Sequence, residues 1–223
     1  MKRFVFALPI LFFALSGCGG GSEENGTDGF VQTTKAVKPP DWEISSDLAL
    51  VADSQEVQVG DSVAEAEKVF RKPEGRASNF RDLPPGFGPG YRSTGWSTEA
   101  EGFGVISLEG RVVVAVHSEY GVSENRVEDI LDKYRRRFWG RFKRLTAAED
   151  KVLEPSWVQY WFAEHNKHRL MVCATRLKDG FVNVTEAVGS GEAMDGLRMS
   201  PKSAMEDMAK LKAKSSGTGG VKS

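Results

Sequence analysis

Cysteine is nearly absent from this chain. Only Cys18 and Cys173 stand among 223 residues, so no disulfide framework staples the fold and stability has to come from packing. Histidine is almost as scarce, with His117, His165 and His168 alone. A structural zinc site wants four ligands at recognisable spacing. His165, His168 and Cys173 supply only part of such a set, so the two histidines read as solvated turn residues, and neither metal nor cofactor is expected. A surplus of one charge is missing too: 30 basic residues face 31 acidic ones, which excludes the strongly basic balance of a nucleic-acid binder. No Gly-x-Ser-x-Gly elbow, His-Glu-x-x-His pair or phosphate loop occurs. The sequence therefore predicts no enzyme and no catalytic residue. Cys173, among Leu170, Met171 and Val172, reads as a buried thiol rather than a nucleophile. Long apolar runs are lacking as well; Phe4–Leu15 is shorter than the ~20 residues of a membrane span and is interrupted by Pro9.

What that short run does carry is an export signal. Lys2 and Arg3 precede it, and Ser16 and Gly17 follow it, the order of a basic region, an apolar region and a small-residue cleavage site. Leu15-Ser16-Gly17-Cys18 resembles the lipobox of bacterial lipoproteins. The resemblance implies removal of residues 1–17 and attachment of diacylglycerol to the Cys18 sulfur, with further acylation (palmitate, for example) at the new amino terminus. One acyl chain anchors only marginally, whereas two or three hold firmly. Gly19 rather than Asp follows the cysteine, which by the rule of that family favours the outer membrane, facing the periplasm, in an organism with two membranes. Loss of Lys2 and Arg3 leaves 28 basic and 31 acidic residues, a net charge of −3. With Cys18 acylated, no intramolecular disulfide can form.

Residues 18–40 are rich in Gly, Ser, Thr, Asn and Glu and end in "KAVKPP". They are expected to be a flexible tether reaching roughly 25 Å. Residues 189–223 are equally poor in large apolar side chains and read as a disordered tail. Within it, Ser200 and Pro201 open a marginal helix over 201–213. Between tether and tail lies one domain, 41–188.

That domain reads as two similar halves, 57–118 and 123–188. In the first, Ser62 and Glu65 form a capping box, Val63, Ala66, Val69 and Phe70 recur at helical spacing, and Pro73 stops the run. A Gly- and Pro-rich loop follows. Then "GFGVISLEGRVVVAVHSEY" reads as a hairpin turning at Glu109-Gly110, with Val112, Val114 and Val116 on one face and Val113, Ala115 and His117 on the other. In the second half, Ser123 caps a helix with Val127, Ile130, Leu131, Tyr134 and Phe138 as its apolar stripe. Three strands follow, "SWVQYWFAE", "HRLMVCATRL" and "GFVNVTEAV", joined at His165–His168 and at Lys178-Asp179-Gly180. The fold class is α+β: an antiparallel sheet with two helices packed on one face and a tandem helix-plus-strands repeat.

The stretch "VQVGDSVAEAEKVFRKP", followed by Trp96 and "VISLEGRVVVAV", resembles the small SmpA/OmlA-type lipoproteins of the outer-membrane assembly machinery, whose fold is similar to that of the β-lactamase-inhibitor proteins. The resemblance covers about the first half of the domain and departs from that family at Arg71, where Gly is usual. It implies a scaffold or protein-binding role and transfers no catalytic residue.

The most unusual local composition is "KYRRRFWGRFKRL" (133–145). Arg135, Arg136, Arg137, Trp139, Arg141, Lys143 and Arg144 form a candidate surface for an anionic partner, with Trp139 as anchor. The competing interpretation is a solvated helix face. The function expected is that of a lipid-anchored envelope protein acting as a structural or protein-interaction module. The alternative is a module binding a small ligand or lipid headgroup on an open sheet face through Trp157, Tyr160 and Trp161.

Overall fold

The structure is a computed structural model that describes residues 36–52, 54–74, 79–80, 83–145, 158–177 and 179–217. The expected signal, Cys18, residues 19–35 of the expected tether and Trp157 lie outside the described residues. A small hairpin, β1 (Ala49–Ala52) and β2 (Gln55–Gln58), leads into helix α1 (Val63–Val69). Ser62 accepts from the Glu65 amide while the Glu65 carboxylate accepts from the Ser62 amide, the expected capping box. Four strands follow: β3 (Asn79–Phe80), β4 (Tyr91–Ser97), β5 (Glu101–Leu108) and β6 (Arg111–Val122). Helix α2 (Glu124–Arg137), capped by Ser123, opens a second set: β7 (Lys143–Leu145), β8 (Val158–His165), β9 (His168–Arg176) and β10 (Val182–Ser190).

All eight later strands form one antiparallel sheet in the order β3-β4-β5-β6-β10-β9-β8-β7. Each half is thus a helix followed by a four-stranded meander, and the last strands of the two meanders pair at the centre. The expected α+β class and the helix-plus-strands repeat are both present. The turns agree with the repeat. Glu109 and Gly110 both take positive φ between β5 and β6, and Gly180, at φ +88°, occupies the corresponding turn between β9 and β10.

Helices α1 and α2 cover one sheet face. Ala66 and Phe70 from α1 and Val127, Ile130, Leu131, Tyr134 and Phe138 from α2 are buried there with Leu48, Leu50 and Val57. Strict alternation along β6 fails. A bulge lets Ser107 pair with Val112 and Ile106 with Val114. Val113 and Val114 therefore both join the opposite core, and Val112 joins Ala115 under the helices. The sheet also begins earlier in each half than the sequence suggested. Tyr91–Ser97 and Lys143–Leu145 are strands whose short or Gly-containing patterns carry little periodicity.

The opposite face is covered too, which corrects the disordered tail. Residues 189–190 complete β10, and helices α3 (Gly191–Gly196) and α4 (Pro201–Gly217) follow. Met194, Met199 and Ala204 are buried against Ile106, Val114, Tyr160, Phe162, Met171 and Cys173. Arg169 holds this layer down, donating to Asp195 at 2.8 Å and to the Met199 carbonyl at 3.2 Å. The reason lies in the strands, not the tail. "LMVCA" is apolar at every position, the pattern of a strand buried on both faces, and such a sheet needs a second cover. Ala193 is buried in the same layer, and Leu197 and Met208 pack against it. The last part of the tether is corrected likewise: Val37 is buried in the same layer and its amide donates to the Gly86 carbonyl at 2.9 Å. Among the described residues no helix is long and apolar enough to cross a membrane.

Candidate functional site

A cleft of about 330 Å³ opens between the end of α1, strand β1 and helix α2, floored by β5, β6 and β10. Val51, Ala52, Val69, Phe70 and Ile130 form its apolar walls. Its floor is charged. His117 on β6 is only 6 % exposed and Glu186 on β10 only 2 %, and the sheet register sets them opposite one another.

The two buried charged side chains of the floor, His117 and Glu186, are both paired. His117 Nδ1 lies 3.2 Å from Glu186 and Nε2 lies 2.8 Å from Glu101. Lys133 donates to Glu186 at 2.9 Å and to the Val51 carbonyl at 2.6 Å, and the Tyr134 hydroxyl also donates to Glu186. Next to this group Arg126 grips Glu119 through two bonds of 2.7 and 2.9 Å. Three cations thus face three carboxylates, and the cluster is neutral as a whole.

Electrostatics fix these charges. Burial penalises a charged His117, but the hydrogen bonds and charges of Glu101 and Glu186 outweigh it and raise the imidazole from 6.5 to about 9. Burial likewise penalises a charged Glu186. His117, Lys133 and Tyr134 overcome that and lower its carboxyl to about 2. Tyr134, buried beside that carboxylate, is held well above its ordinary value.

His117, Glu119 and Glu186 can bring one ligand atom each within 4.8 Å of one another. The donor chemistry does not fit a metal. Both ring nitrogens of His117 face carboxylate oxygens, so both carry protons and no lone pair remains, while Glu119 is committed to Arg126 and Glu186 to Lys133 and Tyr134. Sequence reasoning missed this cluster. His117 was placed on a strand, but the 69 residues separating it from Glu186 left no local sign of their pairing. An unpaired Glu in the apolar run "VNVTEAV" was the available signal.

The basic stretch 133–145 is divided by the structure. Arg135 pairs with Glu128 and Asp132, Arg137 with Glu56, and Arg141 with Asp47; Arg141 holds the Asp47 carboxyl down at about 2. These three arginines are ordinary surface ion pairs. Arg136, 84 % exposed, has Asp132 only at 4.0 Å, and Lys143 and Arg144 are exposed. Trp139 is 86 % exposed, held on a turn that Gly140 makes at φ +76°.

Of the remaining candidates, the aromatic residues of β8 and the two turn histidines are less exposed than expected, whereas Cys173 is buried as expected. Tyr160 and Trp161 are buried on opposite faces of β8, so among the described residues neither is open to a ligand on a sheet face. His168 is buried rather than solvated, and burial lowers its pKa. His165 is half-exposed, 2.9 Å from Asp47. Cys173 is a buried thiol, pushed up to about 12 by that burial.

The chain matches no protein-family model, no curated protein and no solved structure. Its class is therefore defined by its own features: a two-half antiparallel sheet covered on both faces, with a charged cleft above its centre.

Proposed function

We propose that this is a lipid-anchored cell-envelope protein whose module binds another envelope protein through the cleft above His117 and Glu186. One observation carries the reading. The cleft joins apolar walls to a charged floor whose protonation is fixed across the neutral range, with His117 at about 9 and Glu186 at about 2. Proton-transfer catalysis works best with groups poised near the working pH. A rigid array of fixed charges suits recognition instead. The resemblance of residues 57–116 to outer-membrane assembly lipoproteins and the Leu15–Cys18 lipobox both favour an envelope scaffold. The cleft volume, about 330 Å³, is also at the lower end of small-ligand pockets. A small polar ligand carrying charges of both signs is therefore the second reading of the same cleft.

Two measurements test this. Fatty-acid labelling should mark the wild type and not Cys18→Ser; equal labelling removes the anchor. A photo-crosslinker at Asp129, on the cleft rim, should give one discrete protein adduct that Arg126→Glu abolishes, while a crosslinker at Glu206 on α4 gives none. The same adducts from both positions would rule out the cleft as the binding surface. Saturable binding of a small solute with no protein adduct would favour the second reading.

A further inference from the structure

The exposed tryptophan lies at the end of the domain where the chain arrives from its anchor. Asp47, in the segment entering the domain, is gripped by Arg141 at 2.8 Å and meets His165 at 2.9 Å. The Asn166 side chain donates to the Ser45 carbonyl at 2.9 Å. Lys38, Pro39, Pro40 and Asp41 line a groove with Lys167 and His168. The entering segment, the tip of the β8–β9 hairpin and the turn after α2 therefore share one end of the sheet. The cleft faces α2 from Arg126 to Lys133. Arg126 stands about 16 Å along the helix axis from Arg137, at 1.5 Å per residue.

We infer that this end of the module, through Trp139 with Arg136 and Lys143, sits on the anionic headgroups of the membrane that holds the lipid anchor. The inference rests on the anchoring proposed at Cys18. Only 17 residues lie between Cys18 and Ala36, where the described chain begins, so an anchor at Cys18 would hold the entry end, of all parts of the domain, nearest the bilayer on average. Tryptophan is the side chain best suited to the headgroup layer, because its ring is apolar and its N–H stays wet. Gly140 holds it outward on a tight turn, so little side-chain reorganisation precedes contact. The surrounding charges match the surface: internal ion pairs remove Arg135, Arg137 and Arg141 from the patch, and the exposed groups nearest Trp139 along the chain are cationic. In this orientation the seated end faces the bilayer and the cleft stands off it, open to a partner in the aqueous compartment.

The test uses the lipidated full chain in vesicles of phosphatidylcholine alone or with 30 % phosphatidylglycerol, each containing brominated acyl chains as tryptophan quenchers. Trp139→Phe separates the emission of Trp139 from that of the other four tryptophans. On anionic vesicles the wild type should show a quenched component that Trp139→Phe lacks. Arg136→Gln combined with Lys143→Gln should remove most of it, and so should a rise in salt to 1 M, where the Debye length falls to ~3 Å. On neutral vesicles the component should be unquenched. Equal quenching of wild type and Trp139→Phe overturns the seating, as does quenching that is the same on neutral and anionic vesicles. Recovery of Trp139 quenching only after a protein partner is added also overturns it. Absence of fatty-acid label sinks the anchor and the seating together, whereas label without Trp139 quenching sinks the seating alone.

Discussion

Two groups of charged residues flank the same helix and behave in opposite ways. On the sheet side of α2, Lys133 and Tyr134 reach a carboxylate that water does not. At and beyond its C-terminal end, Arg136 and Lys143 remain in solvent on either side, in sequence, of a nearly bare tryptophan. Residue types hardly distinguish the two. Burial does: a charge removed from water costs several kcal/mol unless it is paired, so the inner group is bound into the stability of the fold. The outer group contributes little to folding and is available to a partner.

The sharpest way to break this contrast is Glu186→Gln. It leaves His117 and Lys133 without their shared counter-charge, and equilibrium denaturation should show a loss of about 3–5 kcal/mol. A loss below 1 kcal/mol would mean that the inner group is as dispensable as the outer. The pH profile comes next. His117 is raised from 6.5 to about 9, so its stabilisation is fully present below pH 6.5 and is lost as pH rises through 9. Glu186 is lowered from 4.5 to about 2, so its contribution is present above pH 4.5 and is lost as pH falls toward 2. Denaturation midpoints should form a plateau between these limits, and His117→Gln should flatten the alkaline limb. A smaller effect is expected at Gly140. Alanine there adopts a left-handed conformation that costs about 1–2 kcal/mol, and relaxation of the turn should change Trp139 emission. Smallest of all, Trp139→Ala and Arg136→Gln should shift stability by no more than about 0.5 kcal/mol. A larger loss would place them inside the fold and remove them from the outer group.

Helix α2 shows how much of this was legible. Its cap at Ser123 and its stripe from Val127 to Phe138 depend on interactions within four residues, and both are readable in sequence. The candidate surface was legible in part: Trp139 is exposed as expected, but Arg137 and Arg141 are held by Glu56 and Asp47, more than 80 residues away in sequence. The cleft was not legible at all, since His117, Glu186 and Lys133 come from three elements whose meeting depends on strand register.

The sequence by itself determined what local chemistry decides: the two helix caps, the positive-φ turns at Glu109-Gly110 and Gly180, and the α+β class with its doubled order. Tertiary structure decided the rest. The pairing of β6 with β10 joins the halves and sets His117 against Glu186, and the bulge at Val113 reassigns the faces of β6. The second sheet face recruits residues 191–211, a segment too poor in apolar area to order alone. Hydrogen bonds across a few residues are specified by those residues, whereas burial is a property of what covers a surface, and the cover comes from far along the chain.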